Sequence, residues 1–166
     1  MSKGALGYPL DRPYAEPPAP AWVGADTAGT GDFLGNTNAL GILTWVPVSF
    51  TAVQMGFRVI TQLGNMILGI YDANRARLYQ EPSFLVPAAG PKRKTLTTPV
   101  LLPAGPLYLF IQVDDAGSQF AASFNTPAGQ AFVFANTYAD GLPAMLPATL
   151  ADNDDAPSLI AIREGF

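Results

Sequence analysis

The sequence predicts an all-β fold, a jelly-roll-like β-sandwich behind an extended proline-rich N-terminal arm. Three observations predict it. Apolar residues alternate with a period of two over much of the chain, clusters of Gly, Pro, Asn and Asp recur about every 8 to 14 residues, and no convincing amphipathic helical stripe appears. About eight short strands separated by turn signals are the pattern of a sandwich or jelly roll.

The arm is Met1 to Trp22. It holds Pro9, Pro13, Pro17, Pro18 and Pro20, with Tyr8, Tyr14 and Trp22 between and beside them. Proline fixes φ and removes an amide donor, so this stretch is neither helix nor central strand. One reading is a disordered leader; the other, which the three aromatics favour, is a tether lying along a partner in polyproline geometry. Residues 23–166 form the β domain.

The run from Gly24 to Asn38 is turn-rich. Its glycines at 29, 31 and 35 miss the G-x-G-x-x-G spacing by one residue and no Gly-Lys-Ser/Thr follows, so a loop or hairpin tip is predicted. Phe33 to Phe57 carries no charge, yet Pro47 at its centre and the alternation that follows argue for two packed strands over a membrane helix. Trp45, inside this segment, is assigned to the core.

In Thr51 to Thr61, Val53, Met55, Phe57 and Val59 share one face, opposite Gln54 and Arg58. A turn at Leu63-Gly64-Asn65 leads to a strand with Met66, Leu68 and Ile70 on one face. The turn Tyr71-Asp72-Ala73-Asn74 follows, and a short strand at Arg77 to Tyr79 completes a hairpin. Val86 to Lys94 contains Pro87, Gly90, Pro91 and the basic run Lys92-Arg93-Lys94, and reads as an exposed loop. Leu96 to Leu102 and Leu107 to Val113 are a further pair of strands around the turn at Pro103-Ala104-Gly105-Pro106. Phe120 to Phe124, Gln130 to Asn136 and Ser158 to Ile162 are later strands. The last two are separated by a proline-rich loop with the acidic run Asp152-Asn153-Asp154-Asp155.

Several strands are apolar on both sides: Ile60, Ile67, Tyr71, Tyr108 and Phe110 lie opposite the core positions. A strand apolar on both faces is buried on both. Either that face packs against another subunit, the reading favoured here, or a loop of the same chain covers it.

Composition narrows the chemistry. The chain has no cysteine and no histidine, which removes thiol nucleophiles, zinc-thiolate sites, disulfides and the usual general base together. Asp114-Asp115 reads as a strand end, since nothing fixes a second carboxylate at a catalytic separation. The 152–155 run fails as an EF-hand, having Pro157 at the sixth position and Arg163 at the twelfth. A solvated loop, or an acidic patch meeting Lys92-Arg93-Lys94 of a neighbour, fits it better than calcium. Tyr79 and Phe84 are the aromatics placed to stack on a sugar. Only 13% of residues are charged, so a monomer would show large apolar patches, and the formal net charge of -4 offers nucleic acid no basic stripe. No cofactor, metal, membrane or catalytic residue is expected, and no secretory leader is visible in Met1 to Arg12.

The segment Phe57 to Val113 carries a resemblance. Gly64-Asn65-Met66-Ile67-Leu68-Gly69-Ile70-Tyr71-Asp72-Ala73-Asn74 and Leu101-Leu102-Pro103-Ala104-Gly105-Pro106-Leu107-Tyr108-Leu109 resemble a β-sandwich module of tailed-bacteriophage virion proteins, in which a similar strand and turn precede a similar second turn. It departs from that pattern at Pro106 and at Gln112-Val113-Asp114. The resemblance implies a head decoration, head-fibre or tail-appendage protein. The partners implied are a major capsid protein or other virion proteins, together with further copies of the chain, a trimer being favoured. The location implied is a particle assembled in the host cytoplasm, and the alternative is a tail-fibre or spike module binding host cell-surface glycan. The residues assigned to partner contact are Tyr8, Tyr14, Trp22, Tyr108, Phe110, Lys92, Arg93 and Lys94.

Overall fold

The computed structural model describes residues 22–25, 31–32, 37–123, 128–153 and 156–164. In chain order its strands are β1 (Trp22–Ala25), β2 (Gly31–Asp32), β3 (Asn38–Val46), β4 (Phe50–Thr61), β5 (Asn65–Tyr71), β6 (Arg77–Gln80), β7 (Phe84–Leu85) and β8 (Gly90–Leu102). They continue with β9 (Gly105–Val113), β10 (Gln119–Phe120), β11 (Ala122–Ser123), β12 (Ala131–Ala135), β13 (Ala151–Asp152), β14 (Ala156–Pro157) and β15 (Leu159–Arg163). The first sheet runs β1-β15-β4-β10-β2 with β8 on the free side of β4, and the second runs β13-β12-β3-β9-β5-β6 with β7 beside β6 on β5. β11 and β14 form a separate small ribbon, and every pairing is antiparallel. The protein is an all-β sandwich. β1 begins at Trp22, the residue the sequence assigned to the end of the arm.

The alternation read from the sequence places the core. Met55, Phe57 and Val59 of β4 face Met66, Leu68 and Ile70 of β5 and Leu107, Leu109, Ile111 and Val113 of β9, all buried in one cluster between the sheets. β3 and β4 span the uncharged segment, and Leu40, Ile42 and Val46 complete this layer. No helix among the described residues is long and apolar enough to cross a membrane.

Two expectations are corrected here. The stretch 90–94 is not a loop: it begins the thirteen-residue β8 and pairs with Met55 to Val59 of β4, while Val86 is wholly buried. Pro91 and the basic residues are tolerated because β8 is an edge strand, where a missing donor costs nothing and charge discourages pairing with other chains. The turns Pro47-Val48-Ser49 and Pro103-Ala104 do not close hairpins within a sheet. Each carries the chain from one sheet to the other, and they meet at one end of the sandwich, where the Ala104 amide donates to Ser49 Oγ at 3.0 Å.

The second sheet is buried on its outer face as well. The segment from Asn136 to Leu150, which includes a 3-10 turn at Tyr138–Asp140, forms a strap over it. Under the strap lie Ala39, Ile67, Tyr71, Phe110 and Phe134, with Leu142 and Leu146 contributed from above. Phe110 meets Phe134 edge-on at 5.2 Å between centroids and Tyr71 at 5.8 Å. So at Ile67, Tyr71 and Phe110 the doubly apolar strands are covered by the same chain, not by a neighbouring subunit, while Tyr108 and, on the first sheet, Ile60 are only half-buried.

Polar groups fix the strap at both ends. Gln112, wholly buried on the outer face of β9, donates to the Asn136 carbonyl at 2.6 Å and accepts from Asn136 Nδ2 at 2.7 Å. At the far end Tyr71 Oη donates to the Pro143 carbonyl at 2.9 Å. Burial pushes the Tyr71 phenol pKa well up, against the opposing charge of Arg77, so the hydroxyl stays a donor. The Arg77 guanidinium donates to the Leu142 carbonyl, and Arg75 to the carbonyls of Pro147 and Ala148. Arg75 holds a left-handed backbone, φ 67°, at a turn that the Asp72 carboxylate stabilises by accepting the amides of Asn74 and Ala76, both at 2.9 Å.

Two glycines allow this layer to sit so close. A Cβ on Gly41 would lie 2.5 Å from the Phe110 ring and 2.6 Å from the Leu109 carbonyl oxygen; one on Gly69 would meet the tip of Leu142 at 2.4 Å and the edge of the Tyr71 ring at 3.3 Å. Gly41→Ala therefore presses on backbone and a locked ring, and a loss of about 1–3 kcal/mol is expected. Gly69→Ala, which has to displace one leucine methyl of the strap and ease the Tyr71 ring by a few tenths of an ångström but meets no backbone, is expected to cost less. Denaturant midpoints of the two variants check this order.

Candidate functional site

The residues assigned to partner contact do not form one surface. Tyr8 and Tyr14 lie outside the described residues. Trp22 opens β1 opposite Ile162 of β15, at the edge of the first sheet. Phe110 is 0% exposed beneath the strap and presents nothing to a partner. Tyr108 is half-buried at the strap's margin, its ring 5.9 Å from that of Phe132.

The basic run divides by strand parity. Lys94 faces the other sheet: its ammonium lies 3.1 Å from Glu81 Oε1 and 4.9 Å from the centre of the Phe84 ring. Arg93 pairs with Gly56 and lies on the outer face of the first sheet. There Gly56, Phe57, Pro91, Lys92, Arg93, Ser158 and Ile160 line a shallow depression of about 430 Å³. On the neighbouring β4, Gln54 Oε1 and Arg58 Nε are buried without a hydrogen-bond partner.

Glu81 was not singled out by sequence, and it organises the open side of the sandwich. It is 1% exposed. Besides Lys94 it accepts hydrogen bonds from the Thr97 amide at 3.0 Å, from Thr97 Oγ1 at 2.9 Å and from Tyr79 Oη. Four consecutive residues of β8, Leu96 to Pro99, bulge away from β4 between the pairs Gln54–Thr95 and Ala52–Val100. The bulge turns Leu96 into the core and aims the Thr97 amide at Glu81, so one carboxylate ties the edge of the first sheet to the edge of the second. Burial raises the Glu81 pKa, but the bonds from Tyr79, Thr97 and Lys94 outweigh it and leave the group below its ordinary value. Burial and the bond to Glu81 push the Tyr79 phenol up. Tyr79 and Phe84, the aromatics that sequence offered to a sugar, are both engaged in this junction.

Three further acidic residues hold turns and strand ends. Asp114, just past β9, accepts the Asn65 amide at 2.6 Å and Asn65 Nδ2 at 2.7 Å; Asp115 accepts the Gly117 amide at 2.8 Å. Asp152 accepts the Gly129 amide at 3.1 Å, while Asp154 and Asp155 lie outside the described residues. Among the described residues no group of three or more His, Cys, Asp or Glu could hold a metal ion.

The surface feature that sequence misplaced is Trp45. It is 64% exposed, on the outer face of β3 where Leu40, Ile42 and Val46 point inward. Register sets it opposite Pro106, with the pair Leu43–Tyr108 one step along the same face. These four side chains form an apolar ledge just beyond the strap. Leu101, 65% exposed, and Met145, 62% exposed, belong to the same end of the sandwich, beside the two sheet-crossing turns.

No family model matches the chain, and no match is found among curated proteins or solved structures.

The Glu81 junction makes a stability prediction. Because the folded carboxyl titrates below its unfolded value, its contribution is full above the unfolded pKa and is lost as the pH falls through the lower, folded one. Glu81→Gln is expected to cost about 2–4 kcal/mol near neutral pH, since it unpairs Lys94 and sets an amide donor against donors. The gap between wild type and variant narrows as the pH is lowered through the carboxylate range. Urea midpoints measured across that range check both statements.

Proposed function

We propose that the chain is a structural protein of a bacteriophage particle, a capsid decoration or cementing unit or the base of a head fibre. In this reading it binds neighbouring capsid subunits through exposed apolar surface and its N-terminal arm. The observation that carries the proposal is the gathering of Trp45, Leu101 and Met145, all more than half exposed, at one end of a rigid sandwich. Large exposed apolar side chains grouped beside polar surroundings are a mark of protein contact. That end is stiffened by the joined turns at Ser49 and Ala104, so little ordering entropy opposes docking there. The low charge content and the resemblance of residues 57 to 113 to virion sandwich modules support the particle setting.

A second reading draws on the same tryptophan. An exposed indole next to Tyr108 is the kind of platform on which sugar rings stack, so a receptor-binding module recognising cell-surface glycan is the alternative.

The readings separate experimentally. With the particle reading, deletion of Met1 to Pro20 abolishes incorporation into particles, scored by the protein content of purified virions; undiminished incorporation overturns the role of the arm. With the glycan reading, the purified protein binds a glycan array and Trp45→Ala removes the signal.

A further inference from the structure

We infer that Asp140–Gly141, at the tip of the strap, is a backbone modification site where aspartate isomerises to isoaspartate, and that the closed strap holds it unreactive. The inference goes beyond the assembly reading and concerns how long the strap stays latched.

Isomerisation starts when a backbone amide nitrogen attacks the side-chain carboxyl of the residue before it. Glycine in the attacking position favours the step, because no Cβ crowds the approach and the backbone turns freely. In this sequence Asp140 is the one aspartate followed by glycine, and no asparagine is. It is exposed, at the end of the 3-10 turn Tyr138–Asp140. The Gly141 nitrogen bonds to Asp140 Cγ, and the amide hydrogen leaves with the carboxyl hydroxyl as water. The succinimide so formed takes up water at the former Asp140 backbone carbonyl, where the C–N bond breaks. The main chain then runs through Cγ, and the old carbonyl carbon becomes a free carboxylate. One water leaves and one returns, so no oxidant, reductant or co-reactant is needed.

The latched strap blocks the first step. Attack requires a nitrogen stripped of its proton and held about 3–3.5 Å from the carboxyl carbon in the right alignment. Here the Gly141 amide donates to the Tyr138 carbonyl at 3.0 Å and closes the turn. The succinimide ring also fixes the Asp140 backbone outside the 3-10 range, so the turn must come apart before the ring can form. Its neighbours leave no slack for that. The Gly141 carbonyl accepts from Asn136 Nδ2 at 2.8 Å, and the Leu142 amide donates to Gln80 Oε1 at 2.9 Å. Leu142 is buried, and Tyr71 holds the carbonyl of Pro143 next to it. Asp140 therefore reacts only in molecules whose strap has opened locally.

Once made, the change works against closure. Isoaspartate adds one methylene to the main chain, a bond of about 1.5 Å, directly before Gly141. That extra length falls between the Asn136 and Gln80 anchors and displaces Gly141 and Leu142 from both. A strap that has reacted does not relatch in register, and the face of Ile67, Tyr71 and Phe110 is left open more often.

The test incubates the purified full chain at physiological temperature and pH and follows isoaspartate by peptide mapping with electron-transfer fragmentation. In urea above the unfolding midpoint, residue 140 is expected to isomerise ahead of every other aspartate. In buffer the same site is expected to react slower by about tenfold or more, since only open molecules contribute. Tyr71→Phe, which removes the donor to Pro143 and keeps the ring, raises the rate in buffer severalfold. Wild type in urea below its midpoint shows the same rise, and carries the comparison where the variant does not fold. Isomerised protein, separated by chromatography, exchanges hydrogen faster at the Leu142 and Arg77 amides, which the strap holds, while β4 and β9 keep their protection. Equal rates in buffer and above the midpoint overturn the gating, as does a rate that neither Tyr71→Phe nor low urea raises. Another aspartate reacting first overturns the site, and unchanged exchange after isomerisation overturns the unlatching. All of these are read on purified protein, so they stand or fall apart from particle incorporation and glycan binding.

Discussion

The central sheet strands β3, β5 and β9 are apolar on both faces, and the rest of the molecule follows from the need to cover each of them. The inner faces find each other across the sandwich, as in any two-layer β protein. The outer face of the second sheet has no third sheet to meet. It is closed by the 136–150 strap, an irregular segment whose backbone groups must be satisfied without a ladder. That requirement explains a set of otherwise unrelated residues. Gln112 is wholly buried on an apolar face because Asn136 needs a partner there; Tyr71, Arg75 and Arg77 each give a donor to a strap carbonyl. Gly41 and Gly69 leave the volume that Phe110 and Leu142 occupy.

The open side of the sandwich is handled by charge instead of by a covering segment. β8 is long, sits at an edge and carries Pro91, Pro99 and three basic residues, features that resist edge-to-edge pairing. Its bulge leaves an amide with no strand partner, and Glu81 from the opposite sheet accepts it. A buried carboxylate is costly unless it is paired and fully bonded. Here one cation and three neutral donors surround it, and the depressed pKa is the signature that these bonds exceed the desolvation penalty. The two devices divide the work: apolar cover on a face, polar fastening on an edge.

How much of this could be read from sequence depends on whether the signal was local. The strands β4, β5 and β9 were legible because period-two alternation is a property of each strand alone, and the 72–74 turn because Asp72 bonds its own neighbours. The beginning of β8 was not, since Gly, Pro and consecutive basic residues mark loops and edge strands alike, and only the partner distinguishes them. Sheet membership was equally hidden. The residues 103 to 105 look like a hairpin turn, but the sheet to which each flanking strand belongs is a long-range fact. Glu81 gave no signal at all: Lys94 and Thr97 come to it from across the sandwich. Trp45 is different. Its placement in the core followed from the uncharged character of the segment, whereas counting from Leu40 and Ile42 puts it on the opposite face. Parity was the better guide than hydropathy.

That distinction bears on why so weakly charged a chain leaves its largest side chain in solvent. Most of the apolar excess of the sequence is absorbed internally, by a sandwich core on one side of the second sheet and a strapped layer on the other. The low charge content therefore does not by itself demand a partner, and the face formed by Ile67, Tyr71 and Phe110 needs none. Among the described residues the large apolar side chains left exposed are Trp45, Leu101 and Met145 at the end where both sheet-crossing turns sit, and Leu63 and Leu85 toward the other end. Burying an exposed Trp and its neighbours against another surface gains about 25 cal/mol per Å² of apolar area, and a pre-formed β surface loses little entropy in doing so. A few exposed residues held on rigid strands are thus what a protein contact would use. The same sheet, one residue row away, closes its own apolar face with a segment of irregular chain.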